Sequence, residues 1–154
     1  MDPQTLRGAT FGALDGLVTC LAIVLGVHVG GLEPREVTIT ALAAAFAGAC
    51  SMASGEIVSM TAHNNHDGAD SNTSPYKVGA VSFVAFLFGS ALVIVPMFFL
   101  NIQSLAYISM FSMFMLGWFT SHSNPVAGGL RSVFFGSLAC TATLVLGYLI
   151  GGSL

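Results

Sequence analysis

An all-α membrane protein with five transmembrane helices per subunit is the fold class this sequence predicts, and two observations carry it. Of its 154 residues, 55% are hydrophobic and only 7% charged, with a mean hydropathy of +0.84, whereas a soluble domain carries about 25% charged residues. The apolar residues also gather into five runs, 8–29, 37–60, 77–99, 102–121 and 131–151, each close to the roughly 20 residues that cross a bilayer as a helix. Little chain is left outside these runs, so residues 1–154 are expected to form a single transmembrane domain.

The first run follows MDPQTLR and is interrupted by Asp15. It is too long for a signal-peptide core and has no clean cleavage site, so it is expected to be retained as the first helix. Gly8, Gly12 and Gly16 recur in it every four residues, and Ala47, Ser51, Gly55 and Ser59 do the same in the second run. In lipid, where apolar burial cannot drive helix association, such small-residue ridges let backbones approach closely. They read as a tight helix pair or a dimer seam, or simply as the frequency of Gly and Ala here. GGLEPREV joins the first two runs as a tight charged turn, with Pro34 placed near the first turn of the new helix. The polar stretch 61–76 is predicted to be a short loop. Asn72, Thr73 and Ser74 spell a glycosylation sequon there, but a cytoplasmic loop does not meet the enzyme, and Pro75 follows directly. Pro96 predicts a kink in the third run. Tyr107 and Trp118 in the fourth read as membrane-interface anchors. Cys20, Cys50 and Cys140 fall in separate runs without CxxC spacing and read as small apolar packing residues.

Orientation follows from the positive charges flanking the runs. Arg7, Lys77 and Arg131 fall on one side and Arg35 on the other, which predicts a cytoplasmic amino terminus, cytoplasmic 61–76 and 122–130 connections, and a carboxyl terminus across the membrane. A net charge of −3 without a basic cluster argues against nucleic acid as a partner and leaves membrane lipid as the surroundings. No Gly-rich phosphate loop, nucleophile elbow or HExxH pattern occurs, so an enzyme or a resident prosthetic group is not indicated.

The chemistry-bearing residues are the acids inside the runs. An ionisable side chain in a bilayer costs roughly 2.5–3.5 kcal/mol even on the lenient insertion scale, and is kept where it pairs, binds an ion or moves a proton. At about 1.5 Å per residue, Asp15 lies about 10 Å inward from Gly8, while Met52 and Glu56 lie about 12 and 6 Å inward from Met60. Antiparallel helices would bring all three to similar depths. Two carboxylates and a thioether suit a divalent transition metal, the sulfur shifting preference away from Mg²⁺ and Ca²⁺. A carboxylate takes either a proton or a metal, so the two would compete there. A proton relay and a structural polar seam are alternative readings of the same residues. Thr19, one turn from Asp15, and His63 and His66 beyond Glu56 are secondary metal candidates, with Asp67 and Asp70 beside the histidines. His28 and His122 read as interfacial. No internal repeat is visible, and five short helices enclose little volume, so a pathway between two subunits of a homodimer is expected.

The segments DGLVTCLAIVLGV (Asp15 to Val27) and SMASGEIVS (Ser51 to Ser59) resemble the paired signature of the vacuolar iron transporter family. The likeness extends to SPYKVGAVSFVAFLFGSALVIVPM (Ser74 to Met97) and NPVAGGLRSVFFGSLACTATLVLGYLIG (Asn124 to Gly151), nearly the whole chain. The resemblance implies a homodimer that moves Fe²⁺ or Mn²⁺ out of the cytosol in exchange for protons, along a path at the dimer interface. It assigns Asp15, Met52 and Glu56 to that path. Many members carry a long Glu-rich metal-binding segment between the second and third spans; only Thr61 to Tyr76 stands in its place, as in the shorter branch of the family. A reading from another class is a membrane scaffold without transport, held together by its glycine ridges. An internal membrane such as the vacuole is the expected location in a eukaryote, and the cell membrane in a prokaryote.

Overall fold

The computed structural model describes residues 2–67, 73–121 and 123–151, with the side chains of 65–67 outside the description. Asp70, Asn72 and His122, singled out above, lie outside the described residues. Every regular element among the described residues is helical: α1 (Pro3–Val29), α2 (Pro34–Asp67), α3 (Pro75–Met97), α4 (Ile102–Thr120) and α5 (Pro125–Gly151). All five are long and apolar enough to cross a membrane, as the composition predicts.

The helix ends differ from the apolar runs, and proline explains most of the difference. Four of the five prolines, Pro3, Pro34, Pro75 and Pro125, are the first residues of their helices. Proline's fixed φ suits the first helical turn, and its missing N–H is one that no intrahelical carbonyl would have accepted. Consequently α1 and α5 begin about one turn or more before the apolar runs do, α1 in polar sequence and α5 in the small, apolar stretch from Pro125 to Leu130. Asp2 caps α1, its carboxylate accepting from the Thr5 backbone N–H at 2.8 Å and the Thr5 hydroxyl at 2.7 Å. Those hydrogen bonds, helped by Lys77 Nζ at 3.2 Å, hold the Asp2 carboxyl well below the usual carboxylate range. Asn101 caps α4 in the same way, accepting from Ser104 N at 2.9 Å.

One expectation is corrected. Residues 61–67 are helical, continuing α2 rather than forming the predicted loop. No Gly or Pro occurs between Glu56 and Asp67 to stop the helix, so α2 runs past its apolar run. Pro96 stands one residue before the end of α3 at Met97. The Pro96 carbonyl accepts from Phe99 N and Leu100 N at 3.0 Å each, closing the helix with a turn. The first connection ends α1 with bonds from Gly31 N to His28 O and Leu32 N to Val27 O, at 3.1 and 3.2 Å. This closure places Gly31 at φ +89°, a left-handed conformation that glycine adopts without strain.

Helix α1 is the centre of the fold and touches each of the other four helices. α2 packs on α1 and α3, and α4 and α5 pack on each other and on α1. Among the described residues the main chain of α2 does not come close to that of α4 or α5, so α2 lies at one flank of α1. Leu17, Leu21, Val24, Val93, Leu105 and Met113 fill the core, with Cys20 and Cys140 buried beside them. Cys50 is exposed and packs no core.

The glycine ridge of α1 is spent inside the subunit. A Cβ on Gly8 would lie 2.6 Å from Ser82 Oγ, and one on Gly12 2.7 Å from the Ser82 carbonyl of α3. Ser90 Oγ donates across the same contact to the Gly16 carbonyl at 3.2 Å. The ridge of α2 has the opposite fate: Ala47, Ser51, Gly55 and Ser59 are all exposed, and a Cβ on Gly55 would meet nothing within 4 Å.

Ser82 Oγ is buried in this packing without a hydrogen-bond partner. A buried hydroxyl left unpaired is destabilising by about 1–3 kcal/mol, and alanine fills nearly the same volume. Ser82→Ala is therefore expected to leave stability unchanged or to raise it by about 1 kcal/mol, read as a thermal midpoint in detergent at or above that of the native chain. A lower midpoint would show that the hydroxyl is satisfied.

Candidate metal site

The antiparallel pairing of α1 and α2 sets the site. Residues four apart share a helix face, and Arg7, Phe11, Asp15 and Thr19 of α1 line one wall of a groove of 460 Å³. Gly48, Ser51, Met52, Gly55, Glu56 and Ser59 of α2 line the other, and Phe86 of α3 also borders it. The buried Phe86 ring approaches Gly48 so closely that a Cβ there would lie 2.7 Å from Cε1. Gly48 thus makes room for the aromatic side of the groove.

The groove brings together Asp15, Met52, Glu56 and Thr19, as depth counting predicts. Asp15 is half-buried and accepts a hydrogen bond from Thr19 Oγ1 at 3.3 Å. Met52 is half-buried, and Glu56 is buried at 6% exposure. His63 stands apart from the groove, on the exposed extension of α2. His66 lies on the same extension, its side chain outside the description. Asp15 also borders a second cavity, of 580 Å³, between α1, α4 and α5, where Arg131 and Ser132 stand.

One contact escapes the sequence reading. Arg7 Nη2 donates to Glu56 Oε2 at 2.7 Å, an ion pair between α1 and α2. Arg7 is within α1 rather than in a flanking loop. The four-residue spacing from Arg7 through Phe11 to Asp15 is the signal that could have placed it on the groove.

The donor set of one subunit is small. Among the described residues no group of three or more His, Cys, Asp or Glu side chains could hold a metal ion. Two carboxylates, a thioether and nearby hydroxyls offer hard and soft donors, fewer than the six oxygens of a typical octahedral Mn²⁺ site.

Comparison with known proteins agrees with the architecture. The sequence profile of the VIT family matches residues 6–72 and 61–148. Vacuolar iron transporter homolog 2 of Arabidopsis thaliana is 29% identical over 167 aligned positions, covering 96% of this chain and 85% of its own length. A rice protein of the same name (Oryza sativa subsp. japonica) is 28% identical over 165 positions, covering 91% and 87%. Rice vacuolar iron transporter homolog 4 is 50% identical over a shorter stretch of 60 positions, covering 37% and 27%. With the family profile spanning the helices from α1 to α5, the chain belongs to the VIT family.

Proposed function

We propose that the chain is a metal:proton antiporter that carries Fe²⁺ or Mn²⁺ out of the cytosol, working as a homodimer with its path at the subunit interface. The observation that carries this reading is the groove between α1 and α2, in which two acids and a methionine from apolar helices share one space. Carboxylates at that depth need a cation or a proton, and exchange of one for the other is antiport. The names of the plant relatives, vacuolar iron transporter homologs, support a metal cargo.

The dimer follows from what one subunit lacks. A lone subunit offers too few donors to complete a metal shell, and a second copy doubles them. The open face of α2 supports the same arrangement, because Ala47, Ser51, Gly55 and Ser59 are all exposed there and small residues let helices approach closely in lipid. Two such faces can approach closely. The polar end of α2, with His63 and His66, would stand at the cytoplasmic mouth and collect metal weakly. The amino terminus lies in the cytosol in this reading. The membrane is vacuolar or another internal one in a eukaryote and the cell membrane in a prokaryote.

The test is uptake of Fe²⁺, Mn²⁺ and Zn²⁺ into proteoliposomes with an imposed pH gradient. Uptake of Fe²⁺ or Mn²⁺ is expected to rise with the gradient and to collapse when a protonophore dissipates it. Uptake indifferent to the gradient would remove the antiport, and no uptake of any metal by folded protein would favour the scaffold.

A further inference from the structure

The ion pair between Arg7 and Glu56 sits on the groove itself, and its two ends differ. The Glu56 side chain is 7% exposed, whereas that of Arg7 is 61% exposed. A buried carboxylate without a partner is strongly destabilising, so in the empty groove the guanidinium supplies the charge that Glu56 needs. The Arg7 stem stands open enough to swing its head group toward water when something else takes that place.

We propose that Arg7 is a tethered stand-in cation that determines specificity at the groove, excluding monovalent cations from Glu56 and yielding it to divalent ones. The inference rests on the metal reading of the groove. The Arg7 guanidinium brings a unit positive charge to Glu56 Oε2 through Nη2 at 2.7 Å. Being attached to α1, it competes at the high effective concentration of an intramolecular partner. A K⁺ or Na⁺ ion brings the same unit charge with no tether and no hydrogen bond to donate, and loses. A divalent ion brings twice the charge and meets Asp15 and Met52 in the same groove, so it displaces the guanidinium.

The stand-in lowers the apparent affinity for the metal by the fraction of time that Glu56 is free. If Arg7 holds Glu56 for about nine-tenths of the time, removing it tightens metal binding about tenfold. The experiment is Mn²⁺ binding to the full chain in detergent, followed by the paramagnetic resonance signal of free Mn²⁺. It is made at one ionic strength in K⁺ and again in N-methyl-D-glucamine, a cation too bulky for the groove.

Native protein is expected to bind Mn²⁺ equally in both salts. Arg7→Gln is expected to bind about tenfold tighter in N-methyl-D-glucamine, with K⁺ reversing the gain. The same change in a Glu56→Gln background is expected to alter nothing. Arg7→Lys keeps the charge without the guanidinium, and is expected to give an intermediate gain of about threefold. It carries the test should Arg7→Gln not fold. A structural role alone would create no K⁺ sensitivity. Native binding with no gain in either Arg7 variant overturns this inference and leaves the metal site standing. Native protein that binds no Mn²⁺ overturns both.

Discussion

Gly16→Ala is expected to prevent the subunit from packing correctly, although it adds a single methyl group. A Cβ at Gly16 would run into the Phe86 carbonyl of α3, and one at Gly89 of α3 would run into the Ala13 carbonyl of α1. The main chains of the two helices therefore touch, with no side chain between them to change rotamer. Overpacking a well-filled contact is destabilising by about 1–3 kcal/mol when side chains can yield, and more where only backbone can move. α1 contacts every other helix, so separating it from α3 disturbs the whole core. In lipid, close packing is a main source of helix association, and apolar burial does not compensate for its loss. Maleimide labelling reads the outcome, because Cys20 and Cys140 are buried and Cys50 is exposed. In a Cys50→Ala background the native chain is expected to resist labelling and Gly16→Ala to label rapidly at Cys20. Gly55→Ala, with nothing within 4 Å of the new Cβ, is expected to stay protected. Native-like protection of Cys20 in Gly16→Ala would show that α1 and α3 can separate without loss of the fold.

The same contrast shows what the sequence could and could not reveal. Hydropathy marks where a chain can meet lipid, and it located all five helices. It does not mark where a helix ends, because polar residues in water are helical as readily as apolar ones in a bilayer. The seven residues 61–67 of α2 were missed for that reason, as was the polar first turn of α1. Proline carried the missing boundary signal at four helix starts, and read as a first-turn residue Pro125 would have placed the beginning of α5. The two small-residue ridges look alike in sequence, yet one is buried against α3 and the other is open. Only the neighbours distinguish them. The groove was legible because helix rise is constant, so depth can be counted from either end of an antiparallel pair. The Arg7–Glu56 pair was not, since Arg7 entered the reading as a topology charge and its reach depends on how closely α1 and α2 pack.

Asp15→Asn is expected to lower metal transport by about 100-fold or more, since altering even the outer groups that merely support metal ligands costs about 10–100-fold, while leaving the fold intact. Asparagine matches aspartate in shape, and its carbonyl oxygen can still accept from Thr19 Oγ1, which lies 3.3 Å from Asp15 Oδ1. The substitution removes only the negative charge and the capacity to take up a proton. Glu56→Gln removes a charge too, but it also strips Arg7 of its partner at 2.7 Å, so its effect mixes the groove's charge with the release of a cation into it. Asp15 makes the cleaner test. Uptake by proteoliposomes under a pH gradient reads the charge, and Cys20 protection in the same preparation reads the fold. Lost uptake with native protection would tie transport to the carboxylate. Full uptake would place the metal path away from the Asp15 carboxylate. The scaffold reading predicts no dependence on the Asp15 charge, because α1 packs against α3 through glycine and serine. The two readings therefore part on a substitution that leaves the helix packing alone.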